Sequence, residues 1–515
     1  MKDMEKSNKK KYQDLIILHS NDNVAITTGQ LIGGIITGDL KVRGLVPAGH
    51  KIALLDIHPG DSVRRYNQVI GVASKLIKAG EHVHTHNLAM GEFDRDYEYG
   101  VEVNLRSNFK QANFMGIRRP NGDVATRNYI GILSTVNCSA TVAHGIADHF
   151  SSRNAQCSLQ EYSNVDGVIA LTHSLGCGAD INGAGIKLLQ KTIVGYASHP
   201  NFSAILLIGL GCEANQIASL IKNIRLEGLA NLKVFNIQDI GGTKKSVSRG
   251  IEIIKEFLPD ANNIQREPCS IDNLIVGLQC GGSDTYSGVS ANPALGYAVD
   301  LLVSHGGTAI LSETPEIFGA EHLLTRRAIS PNVGRKLIEH IEWWKNYVKI
   351  NDGAMNNNPS PGNKIGGLTT ILEKSLGAVA KGGTSNLVAV YDYADKVNEA
   401  GLVFMNTPGY DPVSATGQVA GGANVICFTT GRGSAYGCAP SPSLKISTNN
   451  ELWQSQQDDI DINCGEIITG KATVRELGQQ IFDEIILIAS GSKTKSELHG
   501  YGQNEFVPWQ LGATM

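Results

Sequence analysis

No stretch of this chain approaches the ~20 consecutive apolar residues that a membrane-crossing helix needs, so no membrane span is expected. No sustained basic run occurs beyond Lys9, Lys10 and Lys11, and the formal net charge is −4, so nucleic acid finds little electrostatic footprint and is not expected as a partner. Aromatic residues make up 6% of the chain and charged residues 18%, against 42% hydrophobic; that balance excludes a disordered or fibrous chain and suits a compact, loop-rich enzyme. The nine cysteines form no CxxC pair, are odd in number and follow no apolar signal segment, which argues against a disulfide framework and for a reducing cytoplasm. A length of 515 residues exceeds what one core supports, so several domains are expected.

What is present falls into segments. Residues 1–13 read as a disordered polar tail. Over 14–91, short alternating runs such as Val24-Ala-Ile26 and Ile52-Ala-Leu-Leu55, separated by turns at Gly49-His50-Lys51 and Pro59-Gly60-Asp61, predict a small all-β module. Residues 92–113 lack periodicity and read as a linker. Over 114–268, strand-like runs alternate with helical patterns, predicting a Rossmann-like α/β domain with a parallel sheet. Residues 269–515 form a second α/β domain, with strands expected at Leu274–Leu278, Thr308–Leu311, Leu387–Val390, Leu402–Met405 and Val425–Phe428.

Two patterns carry chemistry. Four apolar runs each break at Gly or Asn and deliver a cysteine, at Cys138, Cys177, Cys212 and Cys280. Strand ends of open α/β sheets are where ligands bind. The spacings of 39, 35 and 68 residues show no compact metal motif, so an iron–sulfur reading requires the fold to gather these thiols; buried structural thiols are the commoner outcome. The second pattern is Gly80-Glu-His82-Val-His84-Thr-His86-Asn87, where alternation in an extended segment places three imidazoles on one face, as a metal site requires. The alternative is a polar edge strand with solvated histidines.

The segment Gly116-Ile-Arg-Arg-Pro-Asn-Gly-Asp-Val-Ala-Thr-Arg-Asn128, with Val136-Asn-Cys138, Gly209-Leu-Gly-Cys-Glu213, Gln279-Cys-Gly-Gly-Ser-Asp284, Ser290-Ala-Asn-Pro293, Asn358-Pro-Ser-Pro-Gly-Asn-Lys364 and Thr430-Gly-Arg-Gly433, resembles the altronate and galactarate dehydratase family over nearly the whole chain. The resemblance implies a β-clip module of the SAF type at the N-terminus. It also implies a hydro-lyase that removes water from C2 and C3 of a sugar acid to give a 2-keto-3-deoxy acid, with a divalent metal, Fe(II) first and Mn(II) second, and an iron–sulfur cluster ranked below both. His82-Val-His84-Thr-His86-Asn87 and Glu316-Ile-Phe-Gly-Ala-Glu321 look altronate-like, so D-altronate giving 2-keto-3-deoxy-D-gluconate is the leading expectation, with galactarate or another aldonate or aldarate as the alternative. A thiol or iron–sulfur redox enzyme and a non-catalytic sugar-acid sensor are the competing classes. A homo-oligomer is expected.

Dehydration α to a carboxylate needs a positive centre, a base at C2 and an acid for the C3 hydroxyl. The metal candidates are His84 and His86, then His19, with His82 in reserve. His173, at a strand end in Thr172-His-Ser-Leu-Gly-Cys177, is a candidate acid or base, against a capped loop histidine. Lys364, after a Pro-Gly turn, is a base or carboxylate clamp, against a solvated lysine. Glu313 and Glu316 are candidates as acid or metal ligand, against a surface role. Arg127 with Asn128, and Arg432, are candidate carboxylate clamps, and Ser283 and Asp284 candidate partners of sugar hydroxyls.

Overall fold

The computed structural model describes residues 14–91, 97–104, 111–151, 158–223 and 231–511; the expected polar tail and part of the expected linker lie outside these residues. The N-terminal region is all β. Strands Leu15–Ile16, Val24–Thr27, Lys51–Ala53 and His82–Val83 pair antiparallel in that order, and a second sheet joins Ser62–Arg65, Gln68–Ala73 and Leu88–Ala89. Val24, Val63, Ile70 and Val83 lie between them, each 2% exposed or less, as expected of β-branched residues on inward-facing strand positions.

The middle region is a four-stranded parallel sheet in the order Gly167–Leu171, Tyr129–Ser134, Phe202–Gly209, Leu232–Asn236. The C-terminal region is a seven-stranded parallel sheet in the order Leu387–Tyr391, Leu402–Met405, Thr308–Leu311, Ile275–Cys280, Val425–Thr430, Ser443–Ser447, Ile462–Asn463. All five expected strands of this sheet are present. The polar Ser443–Ser447, which lacks an apolar run but is buried along its whole length, was not foreseen. The resulting architecture is a small β module followed by two α/β regions with parallel sheets.

Helices Ala291–Ser304 and Val474–Ala489 cover one face of the large sheet. On the other face, helix Asp411–Ala420 meets helix Ala184–Ala197 of the middle region. Gly195 permits that crossing, since a Cβ there would stand 2.4 Å from the Ala420 carbonyl oxygen. Gly195→Ala is therefore expected to cost about 1–3 kcal/mol through overpacking, read as a lower urea midpoint.

A buried polar ladder sets the carboxyl edge of the large sheet. The Gln279 side-chain amide donates to Gln418 Oε1 at 2.8 Å and Ser414 Oγ at 2.9 Å, and Gln418 Nε2 donates to Ser312 Oγ at 2.8 Å. Thr407 Oγ1 donates to Ser414 and accepts from the Glu313 amide at 2.9 Å. This holds Glu313 in the left-handed region, at φ 68°. A non-glycine residue kept there signals a position the surroundings dictate.

Candidate active site

The β module docks on this carboxyl edge. Lys51 and Arg65 converge on Glu373, with Lys51 Nζ 2.9 Å from Oε2 and Arg65 Nη1 2.7 Å from Oε1, all three side chains being at most 2% exposed. Burial alone would raise the Glu373 carboxyl, but the two cations outweigh it and pull it down to about 2. Thr369 adds two donors to Oε2, while Lys51 also donates to the Gly367 carbonyl and Arg65 to that of Thr285.

Beside this lock lie the histidines. His50, His82 and His84 each offer a ring nitrogen, and these all lie within 4.8 Å of one another; among the described residues they are the one such group of three. His50 Nδ1 stands 2.9 Å from His82 Nε2, and His50 Nε2 is 3.1 Å from the Ile365 carbonyl. Pairing of Ile52 with His82 brings the two strands together. Burial lowers His82 to about 3 and His84 to about 4, with neighbouring cations and imidazoles adding to it, so both rings are neutral with a free lone pair.

These residues fit a divalent ion. His84 Nδ1 is buried with no hydrogen-bond partner among the described residues, and nitrogens bound to one ion at ~2.1 Å stand about 3 Å apart when adjacent, close to the His50–His82 separation. The expected alternation holds from His82 to His84 and then stops. A turn closed by the amides of Asn87 and Leu88 on the His84 carbonyl carries His86 outward to an exposed position, its ring 5.3 Å from that of His82. His19 is placed apart from the trio: its Nδ1 accepts from the Asn21 amide, in a turn whose Asp22 carboxylate holds the amides of Tyr66 and Asn67. His50, which sequence reasoning took as part of a turn, is the member of the trio it missed.

His50 reaches the Ile365 carbonyl, and three residues further on Leu368 lines a small cavity together with Tyr66 of the β module and with Cys280, Ser283, Asp284, Glu373 and Lys374. Asp284 is buried and accepts from Ser287, Thr448 and Asn449; Ser283 meets Cys280 Sγ at 2.7 Å. Lys364, half-buried, sits on the adjoining short helix Pro361–Ile365, and Arg432 is exposed on the loop whose Gly431 abuts Asp284. Behind the cavity lies a buried charge cluster. Lys374 Nζ donates to Glu316 Oε1 at 2.7 Å and Asn358 Oδ1 at 2.8 Å, and Lys381 Nζ to Glu313 Oε2 at 3.1 Å.

Glu313, Glu316 and Asp411 thus face two ammonium groups. Burial raises Glu313 and Asp411, and the charge of Glu316 raises both further, against the pull of the lysines. One negative charge in excess inside a dry cluster favours a shared proton. Glu316 Oε2 is buried and has no partner among the described residues. Sequence reasoning missed Lys374, Lys381 and Asp411, which carry no local signature.

The other candidates lie elsewhere. His173 lines a cavity of about 610 Å³ between the middle and C-terminal regions, with Trp344, Phe506 and Trp509. Its Nε2 is 3.0 Å from the Ser134 carbonyl and its Nδ1 accepts from the Leu175 amide, so both nitrogens serve the backbone, and burial lowers it to about 4. Arg127 is fully buried; its five N–H groups go to Glu497 twice and to the carbonyls of Thr126, Ile488 and Ser492, which makes it a tie between regions. Asn128 donates to the carbonyls of Asn164 and Ala261.

Comparison with known proteins agrees with this division. Residues 13–91 match the altronate/galactarate dehydratase SAF domain, 116–262 the D-galactarate dehydratase/altronate hydrolase second domain, and 271–514 the D-galactarate/altronate dehydratase C-terminal domain. The galactarate dehydratase (L-threo-forming) of Escherichia coli (strain K12) is 38% identical over 93% of each chain. The altronate dehydratases of Escherichia coli (strain K12) and Bacillus subtilis (strain 168) are 35% identical over 97% of this chain and 99% of that relative, and 32% identical over 98% and 100%. With every region matched in order and relatives aligned nearly end to end, the chain belongs to the altronate/galactarate dehydratase family of hydro-lyases.

Proposed function

We propose that this chain carries out the metal-dependent dehydration of a sugar acid, D-altronate to 2-keto-3-deoxy-D-gluconate, at the junction of the β module and the C-terminal region. The observation that carries the reading is the placement of His50, His82 and His84 at the junction of the β module and the C-terminal region, with His50 bonded to Ile365, three residues before Leu368 of the wall of a cavity that ends on a buried charge cluster. A divalent ion held by these three imidazoles would supply Lewis-acid charge for the substrate carboxylate. The chain's own groups do the rest. Ser283 and Asp284 face the cavity as partners for hydroxyls, and Lys374 Nζ, backed by Glu316, holds and moves a proton at the cavity wall. Glu313 and Asp411, both raised by burial and by the charge of Glu316, share a proton within the same cluster, an acid reserve for the departing C3 hydroxyl. Tyr66 and the lock on Glu373 shut water out from the β-module side.

D-Altronate leads because the histidine-rich segment 82–87 looks altronate-like; galactarate is the second reading, favoured by the 38% identical relative. Purified protein supplied anaerobically with Fe(II) or Mn(II) should form keto acid from D-altronate, and a panel of C5 and C6 aldonic and aldaric acids giving none would end the proposal. His84→Ala should bind the ion roughly a hundredfold more weakly, seen as metal content after desalting, with the melting profile retained.

A further inference from the structure

Cys269, Cys280, Cys427, Cys438 and Cys464 are buried, whereas Cys138, Cys177 and Cys212 are exposed. These three follow the carboxyl ends of three neighbouring parallel strands, Tyr129–Ser134, Gly167–Leu171 and Phe202–Gly209. Cys280 shares their sequence pattern but ends a strand of the other sheet, and its sulfur meets Ser283. Burial and topology thus divide a set of four into three and one.

The three loops are bound to one another. The Asn137 amide donates to the Leu175 carbonyl at 3.0 Å, the Asn215 amide to Gly176 at 3.2 Å, and Thr135 Oγ1 to Glu213 Oε1 at 2.7 Å. Gly176, at φ +99°, lets the second loop press on the first: a Cβ there would fall 2.3 Å from the Thr135 carbonyl oxygen. Asn215 sits where the loops meet, fully buried, with its Nδ2 on the Thr135 carbonyl and its Oδ1 lacking any partner among the described residues. Gln238 Nε2 donates to Cys212 Sγ at 3.3 Å.

We propose that Cys138, Cys177 and Cys212 form a three-thiolate seat for an iron–sulfur cluster whose remaining iron has no protein ligand. Three soft donors from three fixed loops, on an open face, suit iron and sulfide better than a hard ion. Their three loops are held to one another by direct hydrogen bonds at the ends of adjacent parallel strands, so the thiols share one face of the sheet. The side-chain N–H directed at Cys212 Sγ is the kind of contact that tunes such clusters. The position also obeys the rule that ligands of open α/β sheets bind beyond the carboxyl ends of the strands. The cavity of about 610 Å³ opens alongside, lined by Thr172–Leu175, two residues before Cys177. This seat is separate from the histidine trio and does not depend on the ion proposed there.

The test is anaerobic incubation of the full-length protein with ferric iron, sulfide and a dithiol reductant that converts part of the iron to Fe(II), followed by desalting and assay of iron, acid-labile sulfide and visible absorbance. Retention of about four irons and four sulfides per chain is expected, with each of Cys138→Ser, Cys177→Ser and Cys212→Ser cutting retained sulfide roughly tenfold or more. His84→Ala should keep its sulfide, which separates this seat from the ion site. Wild-type protein that retains iron without sulfide, or serine variants that hold as much sulfide as wild type while showing native circular dichroism, would overturn the assignment.

Discussion

Glu373→Ala is expected to destabilise the protein by about 3–5 kcal/mol and to loosen the β module from the C-terminal region, because it strands Lys51 and Arg65 in a dry interface with no counter-charge. The size follows from burial. An exposed pair such as Lys78 with Asp56, each side chain nearly half exposed, contributes far less, because water screens the two charges. The lock should also show in the pH dependence. Glu373 has its folded-state value depressed to about 2 from an ordinary 4.5, so its contribution is complete above the unfolded value and is lost as pH falls through the folded one. The gap in unfolding free energy between wild type and Glu373→Ala should therefore be constant near neutrality and shrink between about pH 4.5 and 2. Urea unfolding at several pH values measures it, and a gap that stays level to the lowest pH would contradict the lock.

The parallel sheets were legible because buried strands such as Leu402–Met405 and Val425–Thr430 are continuous apolar runs ended by turn residues. The strand Ser443–Ser447 was not, since its pairing with Val425–Thr430 on one side and Ile462–Asn463 on the other, and not its composition, makes it a strand. The histidine site was half legible. Local alternation exposes His82 and His84, but His50 joins them only through an antiparallel pairing about thirty residues away in sequence, and the turn at His84–Asn87 breaks the period that seemed to include His86. Arg127 illustrates the opposite error. Its motif suggests an anion clamp, yet the anion it holds is Glu497, 370 residues along the chain and invisible to local pattern. The lysines of the charge cluster were missed for the same reason, since Lys374 and Lys381 lie in an ordinary helical stretch and acquire meaning only where they meet Glu316 and Glu313.

Lys374→Met should reduce turnover by about 10²–10⁴ while leaving metal content intact, if the ammonium at the cavity wall moves the proton. Methionine keeps the length and apolar stem of lysine, so packing around helix Ile371–Val379 changes little, and the loss falls on the charge that Glu316 and Asn358 hold in place. Removing that cation also removes its downward pull on the carboxyls of Glu313 and Asp411, which then rise further. The residual activity should accordingly have its pH profile displaced upward, since deprotonating the remaining cluster becomes harder. Lys374→Arg should not rescue, because a planar guanidinium cannot occupy the fork between Glu316 Oε1 and Asn358 Oδ1 that a compact ammonium fills at 2.7 and 2.8 Å. Steady-state kinetics with the preferred sugar acid at several pH values, paired with metal analysis, separates the outcomes. Full turnover in Lys374→Met would move the proton chemistry to another wall of the cavity, whereas metal lost along with activity would assign Lys374 to holding the β module in place.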